Sequence, residues 1–165
     1  MSEKKISTDL EIYLRDHYAG GVGAVELIEH LAAMHAEDSL GPFFRELAGE
    51  VKSDHETLHD LMTALGGEVG SVRNAGAWVA EKFGRAKLGF STGDDADLGL
   101  LQSLEVLYAG ITGKRLLWRA LAAVKTTSPI LEQIDFDRLE RRALEQAEKV
   151  ESKRLDSARE TLRAD

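Results

Sequence analysis

Four long stretches of the chain repeat apolar residues at the three-and-four spacing of an α-helix. The first spans about 7–36, with Leu10, Tyr13, Leu14, Ala24, Leu27, Ile28 and Leu31 on one stripe. The second spans about 42–65, with Phe44, Leu47, Val51, Leu58, Met62 and Leu65. The third, about 95–124, is apolar on two faces. One face carries Leu98, Leu101, Ala109, Thr112, Leu116 and Ala123; the other carries Leu100, Leu104, Leu107, Ile111, Trp118 and Leu121. The fourth, about 135–163, carries Ala143, Leu144, Ala147, Leu155, Ala158 and Leu162 among Glu, Lys and Arg. Its i,i+4 charge pairs suit a solvated face.

The breaks between these stretches give the topology. Glu37 to Pro42 is a short turn, and Pro42 suits the first turn of the next helix, where no N–H is missed. Gly66-Gly67 stops the second helix, and Thr126-Thr127-Ser128-Pro129 separates the third from the fourth. Short turns predict antiparallel hairpins. The segment 66–94 is different. Ser71 opens a short helical pattern, Val72, Ala75, Val79, Phe83 and Ala86, followed by a Gly-containing loop. About 30 residues is too long for a turn and long enough to cross a bundle. Hairpin, crossover, hairpin predicts an all-α, ferritin-like four-helix bundle in a single domain, 1–165.

Two irregularities bear on function. A bundle helix needs one apolar stripe, so the second stripe of the third helix predicts another contact. The crossover or a second copy would supply it, and a homodimer through Leu104, Leu107, Ile111 and Trp118 is expected. The first helix has a soft centre, Gly20-Gly21-Val22-Gly23. Glycine costs about 1 kcal/mol against alanine inside a helix. A kink, a close contact or room for a small ligand would account for it.

Composition narrows the classes. In 165 residues, 21 Lys and Arg face 29 Asp and Glu, a net charge of −8, and there is no Cys. Thiolate metal sites, disulfides and a Cys nucleophile are excluded. The acidic balance argues against nucleic acid. No apolar run approaches the ~18–20 residues of a membrane span, so no membrane partner is expected. Met-Ser-Glu-Lys-Lys lacks a following apolar signal core, which predicts a cytoplasmic protein.

Inward-facing carboxylates and imidazoles are the candidates for chemistry in a bundle. Glu105 falls on one stripe of the third helix and Glu151 on that of the fourth, with Glu148 at its edge. Counted back from the turn at Pro129, Glu105 lies level with 151–155. Two buried carboxylates at one level repel unless protonated or bound to a cation. Salt bridges to Arg115, Arg119 or Arg154 are the bland alternative. On the second helix, Glu56 and His59 have Glu-x-x-His spacing. Glu56 nevertheless lies ~140° from Val51 on the helical wheel and faces solvent, whereas His55, with Asp54, faces inward. His17 and His35 fall on the apolar face of the first helix.

Three stretches resemble a family. Leu14-Arg15-Asp16-His17-Tyr18 looks like a Leu-Arg-Asp-x-Tyr opening of the first helix. Asp54-His55-Glu56-Thr57-Leu58-His59 lies in a second helix ending Ala64-Leu65-Gly66-Gly67, and Leu104-Glu105-Val106-Leu107-Tyr108-Ala109-Gly110 looks like a Glu-x-x-x-Tyr-Glu-x-x-x-Tyr third helix, with two residues here between Glu105 and Tyr108. Together they resemble the ferritin-like superfamily, in a bacterial stress-associated branch related to rubrerythrin. The resemblance covers about 10–162. It implies a di-iron carboxylate site, with Glu56, His59 and Glu105 in matching positions and Glu148 aligned with the last helix's Glu. Three residues on stands Glu151, not His, and no His follows His59. Where the first-helix Glu is expected stand Ala19, Gly20 and Gly21. The implied site is therefore incomplete.

Two functions follow. One is a non-catalytic structural or stress-related dimeric module. The alternative is an oxidoreductase-type protein binding iron, manganese or another divalent metal through an altered site of Glu105, Glu148 and Glu151 with His55, Glu56 or His59. Whether the chain is an enzyme is left open between them. A small-ligand binder using the glycine gap is a third reading. No phosphate loop, catalytic triad or dinucleotide fingerprint occurs.

Overall fold

The computed structural model describes residues 6–67 and 96–163. These residues are helical, with no strand among them. The long helices are α1 (Thr8–Met34), α2 (Gly41–Ala64), α3 (Ala96–Ala123) and α5 (Phe136–Thr161). Each lies within two residues of the bounds that periodicity predicts. The turn before α5 holds more structure than expected: a 3₁₀ turn, Lys125–Thr127, then a short helix α4, Pro129–Glu132. The expected short helix after Ser71, and most of the expected crossover, lie outside the described residues.

Local chemistry sets the helix ends. Ser7 caps α1 by accepting from the Leu10 N–H, and Asp135 caps α5 by accepting from the Arg138 N–H. Between α1 and α2, Asp38 accepts from the Leu40 N–H at 2.8 Å and pairs with His35 Nδ1 at 2.7 Å. Both contacts draw its carboxyl below the ordinary value, the His35 bond more strongly. This turn is tight: a Cβ on Gly41 would sit 2.4 Å from the His35 carbonyl oxygen. After α2, Gly66 takes φ +75°, and the Gly66 and Gly67 N–H groups bond back to Thr63 and Met62 at 3.0 Å. That is a Schellman ending, which needs the left-handed glycine.

Side-chain contacts give the helix directions. Gly21 of α1 faces His55 of α2, across the short turn, so these two run antiparallel. Arg115 of α3 meets Glu140 of α5 and Glu105 meets Arg154, so these are antiparallel as well. Lys149 reaches Glu46 and Glu50 of α2, while Arg142 reaches Asp54 further along it. So α2 and α5 also run in opposite directions, and α2 and α3 are parallel. The end of α2 and the start of α3 therefore lie at opposite ends of these helices, roughly 35 Å apart at 1.5 Å per helical residue.

The core packs Leu14, Ile28 and Leu31 of α1 against Phe44, Leu47 and Met62 of α2 and Leu104, Leu107, Leu117 and Trp118 of α3. Ala143 and Val150 of α5 complete it. This corrects the expected dimer surface. Leu104, Leu107, Ile111 and Trp118 are 0%, 1%, 4% and 0% exposed within the single chain. They form the inward stripe of α3, so they cannot meet a partner. The other stripe is mixed: Leu101 is 4% exposed and Leu116 57%, while Tyr108, on the outer side of the helix, is 39% exposed.

Candidate functional site

One polar layer crosses this core. It is built by the same device on three helices. Leu47, Val51 and Leu58 bracket Asp54 on α2; Leu107, Ile111 and Trp118 bracket Lys114 on α3; Leu139, Ala143 and Val150 bracket Gln146 on α5. In each case the polar residue takes the third place in a run of apolar positions spaced four, three and four apart. That spacing keeps it on the buried face.

The three side chains meet. Lys114 Nζ donates to Asp54 Oδ2 and to Gln146 Oε1, both at 2.5 Å. Gln146 Nε2 donates to Asp54 Oδ2 at 3.0 Å. Asp54 and Gln146 are 1% and 0% exposed. On the far side, Arg142 Nε stands 3.4 Å from Asp54 Oδ1, and Arg142 Nη2 donates to the Glu50 carbonyl at 2.9 Å. Burial draws the Lys114 pKa below the ordinary lysine value, with the Asp54 carboxylate pulling the other way. A buried charge has to be answered in this manner or be lost.

Beside this layer, α1, α2 and α3 enclose a cavity of about 300 Å³. Gly20, Gly21, Gly23 and Ala24 line it from α1, and Ala109, Gly110 and Gly113 from α3. Leu27, Ile28, Leu58 and Ile111 make much of the remaining wall apolar. Asp54, His55, Lys114 and Trp118 are also among its lining residues. The His55 ring stacks on Tyr18 at 4.3 Å between centroids. Its buried Nδ1 and the buried Nε1 of Trp118 have no hydrogen-bond partner among the described residues. Burial, and then the neighbouring His59, draw the His55 pKa below 6.5. A Cβ on Gly21 would come within 2.5 Å of His55 Nδ1, so the glycine is what admits the ring.

The residues expected to hold metal are not brought together. Glu105 is 53% exposed, on the outer face of α3. It is level with 154, as counting from the turn predicts, but it meets Arg154 there at 3.6 Å. Arg154 also grips Glu151 in a fork, Nε to Oε2 at 2.6 Å and Nη2 to Oε1 at 2.8 Å. That fork draws the Glu151 carboxyl below its ordinary value. The repulsion expected between two buried carboxylates is thus answered by an arginine at the surface. Glu56, His59 and Glu148 are exposed. Only His55 turns toward the interior, as the helical wheel predicts. Among the described residues no group of three or more His, Asp or Glu is placed to hold a metal ion. A di-iron centre does not fit this donor set: Glu56, His59, Glu105 and Glu148 are exposed, and Glu105 and Glu151 are held by Arg154.

The chain matches no family model, no curated protein and no solved structure. No described helix is long and apolar enough to cross a membrane.

Sequence reasoning missed Lys114, Gln146 and Arg142. The signal was present for the first two, since each interrupts an apolar run at a position that a helix buries. Arg142 is one residue from Ala143 and reaches α2 along the flank, which no periodicity announces.

Proposed function

We propose that the chain is a ferritin-like bundle whose central layer is closed by an ion pair in place of a metal centre, and that it works as a non-catalytic structural module. Two features support the ferritin-like reading: parallel α2 and α3, and the two antiparallel hairpins they belong to. What carries the absence of a metal centre is Lys114. Its ammonium bonds Asp54 and Gln146, so the polar side chains that meet inside the core are already answered by a cation of the chain itself. The oxidoreductase alternative loses its support, because Glu105 and Glu151 are committed to Arg154.

The test is elemental analysis after equilibration with Fe(II), Mn(II) or Zn(II) and desalting. The expected result is far less than one ion per chain. One ion per chain, lost in Glu105→Ala, overturns the reading. Association with a second copy is part of the module we propose, through the exposed stripe of Tyr108 and Leu116. A scattering mass of two chains that falls to one in Leu116→Glu is expected. A mass of one chain in the unaltered protein removes that part.

A further inference from the structure

We propose that the cavity walled by α1, α2 and α3 is a binding site for a compact, uncharged molecule with a ring-sized apolar body and one hydrogen-bond-accepting oxygen. The volume, about 300 Å³, lies at the lower end of small-molecule sites. The space is kept open against helix stability. Gly110 and Gly113 are glycines within α3, and a Cβ on either would meet no atom of the described residues within 4 Å. The packing of the described residues therefore does not demand glycine there, and alanine would make the better helix.

The polar atoms choose the ligand. Lys114 lines the cavity, is 15% exposed, and spends two of its three protons on Asp54 and Gln146. The third proton calls for an acceptor oxygen. Charge is disfavoured. Asp54 already answers the ammonium, and the exposed carboxylate of Asp16 sits in the cavity lining. His55 is kept neutral by burial, so it adds no positive charge, and its unpartnered Nδ1 faces a mostly apolar surround.

Calorimetric titration with acetophenone tests the site. Benzoate serves as the charged analogue and ethylbenzene as the one without oxygen. Saturable binding of acetophenone at one per chain is expected. Gly113→Leu should fill the space and weaken it more than tenfold while the melting temperature holds. Gly110→Leu is the second filler, should the first disturb folding. Failure of all three probes to saturate overturns the proposal. So does unchanged acetophenone binding in both filled variants. Tighter binding of benzoate overturns the uncharged ligand, and equal binding of ethylbenzene overturns the acceptor. None of these outcomes touches the metal analysis above.

Discussion

The polar layer has two sides, and they are built in opposite ways. Toward α5, Asp54, Lys114 and Gln146 answer one another at 2.5–3.0 Å, and Arg142 stands behind them. Toward α1, the same Asp54 and Lys114 look onto a wall of Gly20, Gly21 and Gly23. Three helices place a polar side chain in one layer, and the fourth places almost no side chain at all. A closed lock and an open cavity thus share two residues. The lock fixes where those residues sit; the missing side chains of α1 leave open space beside them, and Lys114 keeps 15% of its side chain exposed.

Breaking the closed side should have the largest effect. Asp54→Ala leaves the Lys114 ammonium buried with one neutral acceptor. Removing one partner of a buried pair costs about 3–5 kcal/mol. Replacing both, Asp54→Leu with Lys114→Met, removes the unanswered charge and should recover most of that loss. Urea unfolding of the two single variants and the double variant checks it. A loss below about 1 kcal/mol in Asp54→Ala would mean that water serves Lys114 as well, and that the layer is not closed.

How much of this was legible differs by element. The helix ends were, because Pro42, the Gly66-Gly67 pair and Ser128-Pro129 each act through backbone geometry that no neighbour can override. The buried face of α2 was legible too, since Phe44, Leu47, Val51, Leu58 and Met62 form a single stripe. On α3 two stripes competed, and periodicity alone cannot say which faces the chain's own core. Choosing the stripe of Ala109 and Leu116 put Glu105 inside and Leu107 outside, the reverse of what packing does. On α5, small Ala143 and Ala147 weighted the wheel toward Leu155 and Leu162. These are 39% and 64% exposed, while Gln146 beside them is fully buried. The candidate site fell on these two helices. It was therefore read from exposed carboxylates, while the glycine gap of α1 pointed to the right place.

The open side should respond more mildly, and with opposite signs at two glycines. Gly21→Ala drives a methyl into His55 Nδ1, and the ring cannot retreat freely because Tyr18 stacks on it at 4.3 Å. Overpacking of this kind costs about 1–3 kcal/mol. His55→Ala in the same chain should relieve the clash. Gly113→Ala meets nothing within 4 Å among the described residues and should gain about 0.5–1 kcal/mol from helix propensity. Thermal unfolding of the three variants compares them. Equal losses at Gly21 and Gly113 would mean that the cavity wall is packed on both helices, and the contrast between the two sides would fail.

The smallest effect expected is one of pH, and it belongs to the open side alone. His55 and His17 both line the cavity, and burial draws both pKa values below 6.5. For His17 the nearby Asp16 opposes the shift without reversing it. Above pH 6.5 both folded and unfolded chains hold these rings neutral, so the stability is fully present. As pH falls through 6.5, the unfolded chain binds protons that the folded chain does not, and stability is lost until the folded values are reached. The lowered carboxyls of Asp38 and Glu151 act in a separate window, below their ordinary 3.8 and 4.5. Melting temperatures between pH 7.5 and 5.5 therefore isolate the histidines. The decline over that range should shrink in His55→Gln and again in the double variant with His17→Gln. An unchanged decline would place the titrating groups elsewhere and leave the cavity imidazoles as solvated as free histidine.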